Sequence, residues 1–367
     1  MTRPAIAATA IAAADKADPE LAADVVRAAL ARAGSDIAGS VLLFLSSDFV
    51  HHAHAAVAAA ARAAHCLQVT GCTAPGVFTE DDWVLDRPAV AAMVFGAGVG
   101  LSAHAAADRP LLSLATPGAA AAGWLGAGAP RYGLLSTGAS AQGSGRVWCH
   151  AKPDIAGRCE TAVAGAREAV GVSHGVRLLT APLGVEAVDG YELRKLGGHD
   201  ALTSLQRALP AELRAAEKPP LHLLAVAMLE GDAQDAARDG RFTLVPLLGI
   251  SHEERSVALA GRVEPGTQLA WALRQPEAAE ADMRRVAERL AGELDAPPDF
   301  GLLFSCLGRG PYFFGGEDRD LSAVVQRFPA LPLIGAYGGG QIAPQPGGGR
   351  VVHNTAVLAL FRADVQP

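Results

Sequence analysis

Two stretches of this chain run through the same order of elements, and that repetition limits the possible folds more than any other feature. Ser40 to Phe95 stands beside Phe300 to Phe361. The first opens SVLLFLSSDFV and the second FGLLFSCLGRG, each an apolar run of strand length closed by small or polar residues. Phe44 aligns with Phe304, and Ser46 with Cys306. A helical stretch follows in each, HHAHAAVAAAARAA from His51 and EDRDLSAVVQRF from Glu317, where Asp318 has the chemistry of an N-cap. LQVTGCTAPGVF then aligns with LPLIGAYGGGQIA, matching Gly71 to Gly335, Thr73 to Tyr337 and Gly76 to Gly340. PAVAAMVFG and HNTAVLALF close the two units. Strand–helix–strand units look alike in an alanine-rich chain, but the paired glycines argue against chance. Glycine directly after an apolar strand serves a turn at positive φ or the close approach of something to the backbone. The expected fold is α+β: two similar, pseudo-duplicated halves, each a mixed sheet covered by helices, with a cavity between the glycine turns.

Composition excludes several classes. Half of the 367 residues are hydrophobic and 19% are charged, which is the opposite of a disordered chain. The net charge is −7 and no cluster of Lys and Arg occurs, so nucleic acid is not an expected partner. The N-terminal apolar run breaks at Asp15 and lacks a leucine-rich core, a poor signal peptide. Leu111 to Pro130 is interrupted by Pro117 and glycines and reads as loop and short helix, not a membrane span. The expectation is a soluble, cytoplasmic protein. The five cysteines (Cys66, Cys72, Cys149, Cys159, Cys306) show no CxxC spacing, so neither a disulfide framework nor a zinc ribbon is supported.

Between the units, Arg131 to Ala139 and Gly171 to Thr180 read as strands with turns, and Asp189-Gly190 as a hairpin. SVALAGRVEPGTQLAWAL looks like a second hairpin turning at Glu264-Pro265-Gly266, and a helix starts at Pro276. AELRAAEKPP, Ala211 to Pro220, is the best boundary.

The second unit concentrates the candidate chemistry. Residues 301–349 hold 12 of the 41 glycines, which marks where the backbone is cleared for an approach. Arg309 lies between Gly308 and Gly310, so its guanidinium either grips a carboxylate or phosphate ligand or ties down loop carbonyls. Cys306 ends a strand three residues before that arginine. It is either a small buried residue or a nucleophile with His353 as base. Tyr337, Gln341, His353 and Asn354 lie on an otherwise apolar strand-turn-strand unit with Gly335, and buried polar groups there need partners or a cavity. His51 and His54 share a helix face, but two imidazoles without further ligands make a poor zinc site, and no metal is expected. GASAQGSG near Gly138 lacks the order that dinucleotide binding needs, and no cofactor is expected.

These motifs resemble those of the FIST-domain family, an N-terminal FIST half followed by a FIST C-terminal half. LLFSCLGRGPYFFG, PLIGAYGGGQIAP and VVHNTAVLAL are similar to its C-terminal signatures, and VTGCTAPGVF and VSHGVRLLT to N-terminal ones, from about Ser40 to Phe361. The resemblance implies residues 1–37 as a helical lead-in, 38–215 as the N-terminal-like domain and 216–363 as the C-terminal-like domain. It adds Gly71, Cys72, Thr73, His174 and Arg177 to the ligand-binding set of Cys306, Gly308, Arg309, Gly310, Gly335, Tyr337, Gln341, His353 and Asn354. It implies a sensory protein of signal transduction that binds an amino acid or related small acid. With no output domain in the chain, its signal passes to a separate signalling protein. Two departures stand out: the family's glutamate in the second glycine turn is Gln341, and its glutamine in the serine-led segment is His174. The other reading is a thiol enzyme using Cys306 for acyl or amide transfer.

Overall fold

A computed structural model describes residues 5–103, 109–138, 145–215, 219–345 and 347–364. The fold is α+β with mixed sheets, and the chain divides into two compact units, Met1–Ser173 with Met283–Pro367, and His174–Asp282. Among the described residues no helix is long and apolar enough to cross a membrane.

In the first unit, one sheet has the strand order Ala7–Ala13, Ala89–Phe95, Ser40–Ser46, Val69–Ala74, Val147–Cys149, Lys152–Pro153. A second has Ala166–Ser173, Ala356–Ala363, Phe300–Cys306, Leu333–Gly338, Gly76–Thr79, Trp83–Leu85. Ser40–Ser46 runs parallel to Val69–Ala74 because the Ala53–Ala64 helix carries the chain back between them, and it is antiparallel to Ala89–Phe95. Phe300–Cys306 has the same relations to Leu333–Gly338 and Ala356–Ala363, with the Arg319–Arg327 helix as the crossover.

Period-two alternation gives each central strand two buried faces. Leu42 and Phe44 meet Leu302 and Phe304 in one core between the sheets. There the aligned pair Phe44 and Phe304 sit edge to face with centroids 6.0 Å apart, a geometry that adds ~0.5–1.5 kcal/mol to simple burial. Val41, Leu43 and Leu45 point the other way, beneath the helices Glu20–Ala33 and Ala53–Ala64. Their counterparts Leu303, Leu358 and Leu360 lie beneath Arg319–Arg327 and residues 283–294. The layers therefore run helix, sheet, sheet, helix. Alanines such as Ala22, Ala29, Ala56 and Ala60 form the buried helix faces, and they need little depth between helix and sheet.

A third sheet of the same unit joins Gly348–Val352, Gln341–Gln345, Arg131–Leu135, Leu111–Ala115, Arg158–Ala164 and Gly100–Ser102. Leu111–Ala115 corrects the loop-and-short-helix reading. This apolar run pairs in parallel with Arg131–Leu135, and irregular structure begins only at Pro117.

The unit His174–Asp282 is a closed antiparallel ring. Gln268–Arg274, Leu183–Asp189, Glu192–Leu196, Ser256–Leu259, Phe242–Ser251 and Leu224–Leu229 pair in that order, and the last returns to the first. Its core includes Val226, Val257, Leu269 and Trp271, with Leu205 of the Ala201–Ala208 helix packed inside. Ser204 of that helix accepts the Trp271 indole N–H at 3.0 Å. The Asp189-Gly190 hairpin forms as read, with Gly190 at φ 61°. The expected hairpin at Glu264–Gly266 does not. The turn exists, but Ser256–Leu259 and Gln268–Arg274 pair with other strands, because closing the ring takes both edges of each.

Candidate functional site

Arg309 is buried to 1% exposure at the end of the Phe300–Cys306 strand. Its Nε and Nη2 donate to the two carboxylate oxygens of Asp320 at 2.8 and 2.9 Å, and Nη2 also donates to Ser173 Oγ at 2.7 Å. Nη1 donates to the Ser173 carbonyl. The guanidinium thus makes a bidentate carboxylate grip, but on the chain's own Asp320 and not on a ligand. Beside it, Tyr337 donates its hydroxyl to Asp318 Oδ2, while Asp318 Oδ1 accepts the Leu321 N–H at 2.9 Å, the expected N-cap. Burial pushes the Asp318 carboxyl above its usual range, and burial with the adjacent Asp318 charge pushes the Tyr337 phenol well up. Gly310 leaves room for the Tyr337 ring, which a Cβ there would meet at 3.2 Å.

The other candidates of this half form a neighbouring group. Gly308, where a Cβ would lie 2.7 Å from Asn354 Oδ1 and 3.9 Å from Cys306 Sγ, brings those two residues beside one loop. Cys306 is buried, Asn354 is half-buried at φ 56°, and His353 is exposed with Nδ1 3.1 Å from the Gly339 carbonyl. Gln341 is fully buried. Its Oε1 accepts from Thr355 Oγ1 at 3.3 Å, and its Nε2 has no acceptor among the described residues. The glycine-marked approaches are real and are made by the protein itself: Leu134 fills the space at Gly338, Thr137 at Gly339 and His353 at Gly340.

Gly71 and Gly335 play one role twice. A Cβ at Gly71 would sit 1.7 Å from the Leu43 carbonyl oxygen of the parallel strand, and at Gly335 2.0 Å from that of Leu303. Each absent side chain also admits an aromatic, Trp148 at Gly71 and Phe78 at Gly335.

Gly71, Cys72 and Thr73 back the wall of a cavity of about 570 Å³. Trp148 and Val147 pair with Gly71 and Cys72, and Thr73 Oγ1 accepts the Arg146 N–H at 2.8 Å. Burial raises the Cys72 thiol far above the ordinary value, which holds it in the protonated form. Arg146, Val147 and Trp148 form one side of the cavity, Val50, His51, His54 and Val57 a second, and Pro153, Asp154 and Ile155 a third. The floor on the second side is the start of the Ala53–Ala64 helix, whose N-cap His52 makes no side-chain capping bond. A helix start without a side-chain cap, beside two imidazoles and a guanidinium, suits an anion, and Asp154 offers one carboxylate to a cationic group. Among the described residues no cluster of three metal-ligating side chains occurs, and His51 and His54 line the cavity.

His174 and Arg177 belong to the ring unit. His174 is buried with its ring 4.5 Å from that of Phe242, and Arg177 is exposed on the short strand Val176–Leu178. Part of the GASAQGSG segment, residues 139–144, lies outside the described residues. The sequence reading missed Asp320, Arg146, Trp148 and Asp154. A signal existed for two of them. A buried Arg309 demands a carboxylate, and Asp320 sits in the first turn of the next helix; a glycine inside a strand, as Gly71 is, announces a large neighbour.

A family match covers two of the three C-terminal signatures, LLFSCLGRGPYFFG and PLIGAYGGGQIAP. A family model described as FIST C domain matches residues 201–344. An uncharacterised protein of Mycobacterium tuberculosis is 31% identical over 197 residues, 54% of this chain and 51% of the relative. One of Mycobacterium bovis is 29% identical over 195 residues, 53% of this chain and 50% of the relative. The match thus spans about half the length of these curated relatives.

Proposed function

We propose that this protein is a small-molecule sensory module of signal transduction, whose ligand is an amino acid or related small carboxylic acid held in the cavity between Val50 and Trp148. The observation that carries the reading is the cavity itself. Its volume of about 570 Å³ lies within the range of ligand sites, and apolar walls surround a few polar groups, Arg146, Asp154, His51 and His54 among them. A ligand carboxylate meets the start of the Ala53–Ala64 helix with Arg146, an amino group meets Asp154, and a side chain meets Val57 and Val147. The FIST C match supports the sensory class. The two central sheets, with their shared strand directions, support a duplicated unit. In the second copy, Arg309 is held by Asp320 and Ser173, which makes it a structural counterpart of the ligand-holding face. Output passes to a separate signalling protein.

Isothermal titration of the full chain against amino acids and small mono- and dicarboxylic acids tests this. At least one compound should bind, and Arg146→Glu should weaken it about tenfold or more, a loss of ~1.4 kcal/mol. Arg146 is exposed and is held through its backbone, so the variant keeps the fold. Binding unaffected by Arg146→Glu, or none across the panel, would remove the cavity from the account.

A further inference from the structure

The cavity lies just past Ser46, where the Ser40–Ser46 strand ends, and an uncovered apolar patch lies just before Ser40, where it begins. Seven residues of strand, roughly 20 Å, separate the two. Both helices that cover this sheet end at the patch. Glu20–Ala33 stops at Gly34 in the left-handed conformation (φ 66°), and Ala53–Ala64 stops at His65 (φ 50°). Each turn that follows carries one aliphatic side chain out into solvent. Ile37 is 63% exposed and Leu67 is 72% exposed. Neither sits on a loose tip. Ser35 Oγ donates to the Ile37 carbonyl at 2.8 Å, and the Ala38 N–H donates to the Ala64 carbonyl at 3.1 Å. Cys66 Sγ donates to the Gly39 carbonyl at 3.3 Å and accepts the Gln68 N–H at 3.2 Å, so the two turns are tied together.

Beside Ile37 is a hollow of about 340 Å³ walled by Leu30, Ala33, Val94, Phe95 and Val99. It shares Leu30 and Ser35 with a groove of about 640 Å³ along the two helices. Alanines 23, 59 and 63 line that groove, together with charges of both signs: Arg27, Arg62, Glu20 and Asp36.

We propose that this end of the molecule is a homodimer interface, with a second copy of the chain lying across it on a two-fold axis. A two-fold contact needs a patch that is complementary to itself. This patch has a protruding isoleucine next to an apolar hollow, so Ile37 of each copy enters the hollow of the other. The charges obey the same logic. Guanidiniums and carboxylates share one groove, so a mate presenting the same face sets one against the other. A groove suited to a strongly acidic or strongly basic partner would carry a single sign. A stable dimer covers roughly 800 Å² per side, so the contact extends from the hollow over the groove between the helices. The cavity at the other end of the strands stays clear of it. This proposal does not depend on a ligand in the cavity.

Sedimentation equilibrium of the full chain, from low to high micromolar concentration and without any added ligand, tests it. The wild type should reach twice the mass of one chain. Ile37→Asp and Leu67→Asp should each weaken the dimer about tenfold or more. Both side chains are exposed, so the variants keep the fold, which an unchanged far-ultraviolet circular dichroism spectrum checks. Leu248→Asp is the control. That leucine is 66% exposed on the ring unit, and its replacement should leave the dimer intact. A chain that stays monomeric across the range would overturn the proposal. So would a dimer that both Ile37→Asp and Leu67→Asp leave unchanged, or one that Leu248→Asp breaks instead.

Discussion

Arg309 and Asp320 are each almost wholly buried, and such a pair is costly to break and of modest net value when intact. Arg309→Met strands the Asp320 carboxylate and should lower stability by ~3–5 kcal/mol in urea unfolding, whereas the double change with Asp320→Leu should recover much of the loss. A single-variant cost below ~1 kcal/mol would mean that the pair is hydrated. Asp318 gives a pH signature. Burial raises its native pKa, so the folded state keeps this proton to higher pH than the unfolded chain does. The stability it contributes is present at low pH and is lost as pH rises through the native value. Asp318→Asn keeps a capping oxygen and removes the titration. The stability of the variant minus that of wild type should therefore climb as pH rises above the ordinary carboxylate range, and a flat difference would refute the assignment. At this scale the sequence showed which residues matter more clearly than what they touch. The glycines around Arg309 foretold a guanidinium at a tight loop, and both of its possible uses were visible. The deciding partner, Ser173, is 136 positions away, beyond any local pattern.

Elements were more legible. Periodicity gave the central strands and crossover helices of both sheets, the N-cap at Asp318 and the Asp189-Gly190 turn. It failed where pairing is non-local. Leu111–Ala115 is short and flanked by proline and glycine, so nothing nearby marks it as a strand, and only Arg131–Leu135 completes it. The Glu264–Gly266 turn has hairpin chemistry, but the ring's topology separates its flanks. The matched Gly71 and Gly335 were legible as a close approach, since no side chain fits between tightly paired parallel strands. Gly71→Ala and Gly335→Ala should each cost at least ~1–3 kcal/mol in denaturant unfolding, because the added methyl meets backbone that cannot rotate away. A neutral result at either position would show that the strand pairs are looser than described.

At the scale of the molecule, the ring His174–Asp282 closes on its own hydrogen bonds and its own core, so residues 174–275 expressed alone should give a cooperative thermal transition with β-type circular dichroism. A non-cooperative melt would show that the ring borrows its stability from the rest of the chain. The α+β class was legible in the sequence because it follows from the order of elements. The cavity was not, because its walls come from three separated stretches, around Val50, Arg146 and Asp154. Sequence pointed instead at residues behind it, Gly71 to Thr73, which shape the wall without reaching the space. Hydrogen–deuterium exchange of the full chain, with and without a saturating amino acid or small acid that binds, tests the central claim most directly. The account predicts added protection over residues 50–57 and 145–157. Protection confined to residues 306–310 and 337–354 would contradict it and return the site to the second glycine turn.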